Sequence, residues 1–187
     1  MTVREAAPAD HEAIRAAVDA AFGRQEGIAD LVDDLRVSGR VEVELVADDA
    51  GEVIGHVCLE RAWVDDDDSV VDVLTLSPLS VLPGRQGAGT GTRLVEAALA
   101  AARDRDEPYV FLEGAPDYYG ARGFGPALER GFLPPSDRIP GPAFQVAVLD
   151  DRGVTGRLVY PDAFWRHGAV GLRGETLAQV RAALGES

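Results

Sequence analysis

The stretch from Pro78 to Arg105, PLSVLPGRQGAGTGTRLVEAALAAARDR, constrains the fold more than any other part of the sequence. An apolar run meets Pro83, three glycines follow at alternate positions, and a segment rich in alanine and leucine comes next. This order predicts a strand, a loop with few side chains and a helix over residues 90–105. Such a loop brings backbone N–H groups to the positive end of a helix, where phosphates and other anions bind.

Apolar residues along the rest of the chain predict an α+β fold with a mostly antiparallel sheet and one crossover through the helix at 90–105. Helical spacing predicts two helices near the N-terminus, the first with Asp10 near its start as a cap. Alternating patterns and turn residues predict strands and hairpins. The predicted elements are a strand at 2–5, helices at 10–22 and 28–39, a hairpin at 41–64 with its turn at DDAG, a hairpin loop at 65–68, strands at 69–82, 108–114, 143–149 and 157–161, one helical turn within 115–127, and a helix at 174–185.

Length and composition limit the class of protein. A chain of 187 residues is predicted to form a single domain, with residues from about 142 to 187 as a C-terminal extension. The one cysteine, Cys58, excludes an internal disulfide and fits a cytoplasmic location. No apolar run reaches the roughly 18 residues that span a membrane, and the N-terminus lacks the pattern of a secretory signal.

The charge of the chain excludes several kinds of partner. The net charge is −14, and all 18 basic residues are arginines. Such a negative chain is not expected to bind nucleic acid, but it suits cationic partners such as amines. Because there is no lysine, the glycine loop is not a nucleotide P-loop, which needs a lysine on the β- and γ-phosphates.

A dinucleotide-binding fingerprint, G-x-G-x-x-G/A, is one alternative for the glycine loop. It can start at Gly87 or Gly89, but its third position is then Thr92 or Leu94. Glu113, at the end of the next predicted strand, imitates the acid that binds ribose in such sites. The chain lacks the further alternating strand and helix units of that fold, so this interpretation is the weaker one.

The other alternative is the pattern Q/R-x-x-G-x-G/A, which Gln86, Gly89 and Gly91 match. The segments TVREAAPADHEAI, EVIGHV and YYGARGF occur around it, the last with Tyr-x-x-x-Gly-Phe spacing. With these segments the sequence resembles the GNAT superfamily of acyl-CoA-dependent N-acyltransferases over most of its length. The resemblance implies a mixed, mostly antiparallel sheet flanked by helices, a splayed or bulged strand before the glycine loop, and acetyl-CoA as co-substrate with no metal.

The resemblance assigns acetyl-CoA to the glycine loop and to the strand before it. Successive N–H groups of the loop and the positive pole of the helix are expected to face the pyrophosphate. Pro78 cannot donate a ladder hydrogen bond, which agrees with a bulged strand whose free backbone groups hold the pantetheine arm. The residues expected to bind acetyl-CoA are Leu79, Val81, Gln86, Gly87, Ala88, Gly89, Thr90, Gly91 and Thr92.

A tyrosine is the expected general acid. Tyr119 lies four residues before Gly123 and matches the family's tyrosine that faces the CoA sulfur. Its hydroxyl is both donor and acceptor, so it is expected to protonate the thiolate. Tyr118 is the alternative if the short turn has another register. Many family members carry an asparagine in this segment; here Asp117 is the only candidate to replace it, and the segment looks closest to members with a Pro-x-Tyr-Tyr-Gly motif.

The general base is less defined by the sequence. Glu113 ends the strand expected to flank the splay and is the first candidate to receive the proton of an incoming ammonium. Glu60 and Asp72, on neighbouring predicted strands, are the alternatives, because the two-residue periodicity of a strand does not say which side faces a cleft.

The sequence thus predicts an acetyl-CoA-dependent N-acetyltransferase that acts on an amine of a small molecule or peptide by direct attack. The alternative is a non-catalytic acyl-CoA-binding or regulatory module on the same fold. The C-terminal extension is expected either to cover the acceptor side or to form a homodimer, and the sequence leaves both open. The run Asp65–Asp68 lacks the spaced ligands and glycine of a calcium loop, so no metal site is predicted.

Overall fold

A computed structural model describes residues 1–171, 177–178 and 181–182 of the chain. The chain forms two compact units. The first unit comprises Met1–Glu60 and Leu76–Arg105, and the second comprises Arg61–Thr75 and the residues from Asp106 onward.

The helices and strands follow one another along the chain in a mixed order. Up to the glycine loop and the helix after it, they are β1 (Thr2–Glu5), α1 (His11–Phe22), α2 (Ile28–Val37), β2 (Val41–Asp49), β3 (Glu52–Asp65), β4 (Val70–Val81) and α3 (Thr90–Arg103). The rest are β5 (Tyr109–Glu113), α4 (Pro116–Gly120), β6 (Gly125–Pro126), β7 (Phe132–Leu133), β8 (Phe144–Val148), β9 (Gly156–Val159) and α5 (Asp162–Arg166).

In the first unit the strands lie in the order β1-β2-β3-β4, and both β1 and β3 run antiparallel to β2. The apolar positions of α1 and α2 recur every three or four residues, so each helix turns one face towards the sheet. Ile14, Val18 and Ala29 of these helices form a buried cluster with Val46 and Val53 of the strands. Burial of a side chain such as Ile14 stabilises the fold by roughly 1.5–3 kcal/mol.

The helix α3 approaches β3 closely at Gly55. A Cβ atom on Gly55 would lie 3.0 Å from the carbonyl oxygen of Ser80, 3.1 Å from Leu94 Cδ1 and 3.4 Å from Thr90 Cγ2. Only a glycine therefore fits at this point of β3 without moving the first turns of α3. The start of α3 is thus fixed against the sheet by a contact that depends on one missing side chain.

In the second unit the strand order is β4-β5-β8-β6. Parallel pairing joins β4 to β5 at Leu74 with Val110 and at Thr75 with Phe111, whereas β5 and β8 pair antiparallel along the whole of β5. The strand β9 runs antiparallel to β3 and parallel to β7. The resulting sheet is mixed and mostly antiparallel, as predicted.

Aromatic side chains form the core of the second unit. Phe111 of β5 contacts Phe132 edge to face, with ring centroids 4.9 Å apart, and stacks on Phe144 of β8 at 5.8 Å. Tyr109 also contacts Phe132 edge to face, at 5.2 Å. All four rings are fully buried. Such pairs add about 0.5–1.5 kcal/mol each to the burial of their area.

Most predicted elements are confirmed within two or three residues, including both N-terminal helices and the hairpin with its turn at Ala50 and Gly51. Asp10 is the N-cap residue of α1, as predicted, but its side chain does not cap the helix, because its carboxylate accepts hydrogen bonds from Arg4 and from the backbone N–H of Ala7. Of the predicted helix at 174–185, residues 177–178 and 181–182 are helical and the others lie outside the described residues. The pattern did not predict α5, β6 or β7, which span five residues or fewer.

No helix in the described part of the chain combines the length and the apolar character that crossing a bilayer requires.

Candidate active site

The N-terminus of α3 presents backbone donors next to the glycine loop of the first unit. Gly89 is its N-cap, and no side chain caps the helix. The first recorded hydrogen bond of the helix runs from the N–H of Arg93 to the carbonyl of Gly89 at 3.1 Å. The N–H groups of Thr90 and Gly91 precede that bond, so they have no carbonyl four residues back within the helix. This helix end is suited to an anion.

Two glycines of the loop have a backbone conformation that other residues rarely adopt. Gly87 has φ +77° and Gly89 has φ +83°. Nothing lies within 4 Å of where a Cβ atom would stand on either residue, so the space above the loop is open. The backbone of residues 83–89 is exposed, and the chain becomes buried again at Thr90. The structure therefore brings together the loop residues that the sequence predicted.

The side chain of Gln86 closes the loop. Its Nε2 donates a hydrogen bond to the carbonyl of Val81 at 3.1 Å, and its backbone N–H points at the carbonyl of Pro83 at 3.5 Å. Gln86 thus joins the end of β4 to the start of the loop. Gln86 was predicted to bind the ligand, and in the structure its side chain stabilises the loop.

Two ion pairs of Arg85, which the sequence pattern did not reveal, connect the loop to the turn between β2 and β3. Arg85 donates hydrogen bonds to Asp49 at 3.0 Å and to Glu52 at 2.9 Å, and these two acids flank the turn between β2 and β3. Because all three side chains are partly exposed, each pair stabilises the turn by no more than about 1 kcal/mol.

The end of β4 presents backbone groups on two edges. The N–H of Leu82 donates to the carbonyl of Ile54 in β3 at 3.0 Å. Since backbone groups alternate between the edges of a strand, the N–H groups of Leu79 and Val81 point away from β3. Pro78, in the middle of the strand, follows a cis peptide bond after Ser77 and has no N–H to donate.

Tyr119 lies in α4 of the second unit, where its ring makes edge-to-face contacts with Tyr118 at 4.9 Å and with Phe124 at 5.8 Å. Burial raises the pKa of Tyr119 well above its usual value, and the nearby Tyr118 raises it further. The phenol is therefore protonated at neutral pH and able to donate. The guanidinium of Arg122 lies 3.6 Å above the ring of Tyr118.

Gly114 sets the position of the Tyr119 ring. A Cβ atom on Gly114 would lie 2.8 Å from Cδ2 of Tyr119 and would overlap Cε2. The backbone of Gly114 is itself fixed, since its N–H donates to Ala143 at 2.9 Å and its carbonyl accepts from the side chain of Gln145 at 3.1 Å. Because this contact depends on the fold, the sequence did not point to Gly114.

Glu113 ends β5 and is largely buried. Its Oε1 accepts a hydrogen bond from the hydroxyl of Tyr160 at 2.9 Å. Burial raises the pKa of Glu113 to about 7, and the hydrogen bond from Tyr160, the backbone N–H of Gly171 and the charge of Arg138 oppose that rise. A carboxyl group with a pKa near neutrality exchanges protons readily under physiological conditions.

The two alternative bases, Asp72 and Glu60, and the asparagine replacement, Asp117, lie in different environments. Asp72 is exposed on β4, and Asp117 is exposed in the first turn of α4. Glu60 is fully buried on β3, and neither of its carboxyl oxygens makes a well-formed hydrogen bond within the described residues. Burial raises the pKa of Glu60 well above its usual range, and weaker interactions with the N–H of Ser77 and the thiol of Cys58 lower it only in part.

Other reactive groups show no arrangement for chemistry. Cys58 is buried, and burial together with the nearby Glu60 and Glu44 raises the pKa of its thiol well above the usual value, so the reactive thiolate is disfavoured. Among residues 1–171 and the four described beyond them, no three histidine, cysteine or acidic side chains are grouped as metal ligands.

Comparison with known proteins agrees with this geometry. Residues 12–125 match the family model of the acetyltransferase (GNAT) family. An uncharacterized N-acetyltransferase of Escherichia coli K12, YjhQ, is 32% identical over 130 residues, which are 67% of this chain and 71% of that protein.

Two solved structures are similar over most of the chain. The GNAT family N-acetyltransferase YhbS of Escherichia coli, in complex with CoA, has a TM-score of 0.80 and 30% identity over 88% of this chain and 92% of its own. A GNAT family acetyltransferase of Brucella melitensis, in complex with acetyl-CoA, has a TM-score of 0.73 and 28% identity over 87% of this chain and 97% of its own.

The raised pKa of Glu113 predicts a pH dependence of stability. Because the folded state holds the proton up to about pH 7, Glu113 contributes stability that is complete below pH 4.5 and is lost as the pH rises through 7. Replacement of Glu113 by Gln removes this titration. Between pH 4 and pH 8 the unfolding free energy of Glu113→Gln should therefore gain up to about 3 kcal/mol relative to wild type, as measured by urea denaturation.

The variant Glu129→Gln removes an exposed carboxylate from the same unit and controls for the change in net charge. A constant difference between Glu113→Gln and wild type across this pH range would show that Glu113 titrates as an ordinary carboxylate.

Proposed function

Since the chain belongs to the acetyltransferase (GNAT) family, we propose that it transfers the acetyl group of acetyl-CoA to an amine of a small molecule or peptide. The protein is an N-acetyltransferase of that family, and its co-substrate is acetyl-CoA. The observation that carries the proposal is the uncapped N-terminus of α3 behind a loop whose glycines leave open space. Family membership gives no support to the alternative of a non-catalytic binding module.

The proposed binding residues for acetyl-CoA lie in the first unit. The backbone N–H groups of residues 87–92 would face the pyrophosphate, with Thr90 and Gly91 best placed because they precede the first bond of the helix. The backbone groups of Leu79 and Val81 on the edge of β4 turned away from β3 would bind the pantetheine arm. Gln86 contributes by closing the loop on Val81.

Acetyl-CoA supplies an acyl group on a thioester, and the reaction needs a neutral amine and a proton for the leaving sulfur. The lone pair of the amine forms the new C–N bond while the C–S bond breaks, and the amine loses one proton. We assign the acceptance of that proton to Glu113, whose pKa of about 7 lets it be ionised at physiological pH.

We assign proton donation to the thiolate to Tyr119. Its phenol carries its proton at neutral pH, because burial raises its pKa. Because its pKa is raised, Tyr119 does not transfer its proton before negative charge develops on the sulfur. The hydroxyl first donates a hydrogen bond to the sulfur, and it gives up its proton as the C–S bond breaks.

The acceptor is proposed to be cationic in its free form. A chain with a net charge of −14 attracts ammonium groups and repels anionic acceptors. A cytoplasmic location, inferred from the single cysteine, is part of the same proposal.

Replacement of Tyr119 by Phe tests the assignment of the acid. Loss of the proton donor should lower kcat about 10²–10⁴-fold, whereas the affinity for acetyl-CoA should stay within about threefold because the ring is retained. Turnover is measured as thiol released from acetyl-CoA with a panel of primary amines, and affinity by isothermal titration calorimetry.

The matched control is Tyr118→Phe, which removes the neighbouring hydroxyl and should keep most of the activity. If Tyr118→Phe loses turnover and Tyr119→Phe does not, the donor is Tyr118. If the wild-type protein releases no thiol with any amine while binding acetyl-CoA, the proposed reaction is wrong.

Replacement of Gly114 by Ala tests the position of Tyr119 without touching its hydroxyl. The added Cβ would lie 2.8 Å from Cδ2 of the Tyr119 ring and would overlap Cε2, so the ring must move. We expect kcat to fall by about 10²-fold, since a displacement near 1 Å has that effect on a reacting group. Gly120→Ala, where nothing lies within 4 Å of the new Cβ, is the control. Equal activity of both variants would mean that the ring position is irrelevant to the reaction.

A further inference from the structure

The carboxyl group of Glu113 is enclosed by residues from the C-terminal part of the chain. Tyr160, which follows β9 and is 47 positions further along the sequence, donates its hydroxyl to Oε1 at 2.9 Å. Tyr160 is 4% exposed, so its hydroxyl is held within the protein interior. The family model ends at residue 125, so Tyr160 lies outside the matched region.

The segment Tyr160–Gly171 is folded back on itself. The ring of Tyr160 stacks on Phe164 of α5 with centroids 4.6 Å apart, and the N–H of Ala169 donates to the carbonyl of Phe164 at 2.8 Å. These contacts return the chain to Gly171, whose backbone N–H faces the carboxyl of Glu113. The same segment therefore supplies two donors to one carboxyl group.

Arg138 fixes the far end of this segment. Its Nη2 donates to the carbonyl of Val170 at 3.1 Å, and a Cβ atom on Gly171 would lie 2.8 Å from the Cβ of Arg138. Gly171 has φ +78°, which favours glycine. Arg138 is also the charged group that lowers the pKa of Glu113 from this side.

The neighbouring strand brings no further charge to Glu113. In β8 the register partner of Glu113 is Phe144, and Gln145 next to it donates to the carbonyl of Gly114. Among the described residues, the donors to the carboxyl are Tyr160 and the N–H of Gly171, with Arg138 as the nearby charge.

We propose that Tyr160 is a positioning residue of the reaction, which holds the Glu113 carboxyl in its proton-accepting form by donating a hydrogen bond to Oε1. The inference rests on the proposed function, in which Glu113 is the base. The segment Tyr160–Gly171 would then take part in the reaction through its hydrogen bond to Glu113. Tyr160 itself acts on Glu113 and not on the substrate.

A hydrogen bond from Tyr160 stabilises the ionised form of Glu113 more than the protonated form. Its loss therefore raises the pKa of Glu113 and keeps the base protonated to higher pH. The rate at low pH falls, because fewer molecules carry the ionised base, while the rate well above the pKa stays the same.

The test is the pH profile of kcat/KM for Tyr160→Phe, which keeps the ring that stacks on Phe164. In wild type we expect the acid limb near pH 7. In Tyr160→Phe this limb should move up by about 0.5–1 pH unit, so that kcat/KM falls about 3- to 10-fold at pH 6 and less than about twofold at pH 9.5. Tyr109→Phe is the control, since it removes another buried phenol of this unit, one whose hydroxyl contacts Asp151 and the N–H of Arg152.

A parallel measurement separates this inference from the proposed function. The titration of Glu113 is followed through the pH dependence of unfolding in Tyr160→Phe and in the double variant with Glu113→Gln. An acid limb and an unfolding titration that both stay at their wild-type positions would overturn the role of Tyr160. An unfolding titration that moves while the kinetic limb does not would show that Tyr160 tunes Glu113 but that Glu113 is not the base.

Discussion

In the first unit, the absence of a side chain on Gly55 of β3 lets the first turns of α3 pack close to the sheet, where an added Cβ would lie 3.1 Å from Leu94 Cδ1. Because no Cβ separates the two elements, Thr90 is buried against the sheet while residues 83–89 stay exposed. The same contact orients the N–H groups at the helix start, which no side chain caps. Arg85 and Gln86 then fix the loop from both sides, so the anion site is assembled by packing and by hydrogen bonds that lie outside it.

The second unit contains the two groups that we propose to exchange protons. Glu113 and Tyr119 are both partly buried, and burial raises the pKa of each, which favours the protonated form. For Glu113 the hydrogen bond from Tyr160 opposes that shift and keeps the pKa near 7. For Tyr119 the missing side chain of Gly114 provides the space for the ring. The protonation of both groups thus depends on packing as well as on charge.

Local patterns were enough to predict the long elements and the glycine loop, because apolar periodicity and left-handed glycines are properties of short segments. The two-residue strands and the five-residue helix α5 escaped, since such elements have too few positions to show a period. The carboxylate of Asp10 accepts hydrogen bonds from Arg4 instead of capping the helix. Gly55 contacts Ser80, which is 25 positions away, and Tyr160 contacts Glu113, which is 47 positions away. Gly114 leaves space for the ring of Tyr119. These contacts depend on the fold, so the local sequence pattern does not reveal them.

We propose that the backbone donors at the start of α3 bind the pyrophosphate of acetyl-CoA. The most direct measurement is a titration of ¹⁵N-labelled protein with acetyl-CoA, following the amide signals of the loop by NMR, with NAD and ATP as control ligands. We expect the signals of Gly87, Gly89, Thr90 and Gly91 to shift most and NAD to produce no comparable change. Shifts confined to other segments, or an equal response to NAD, would contradict it.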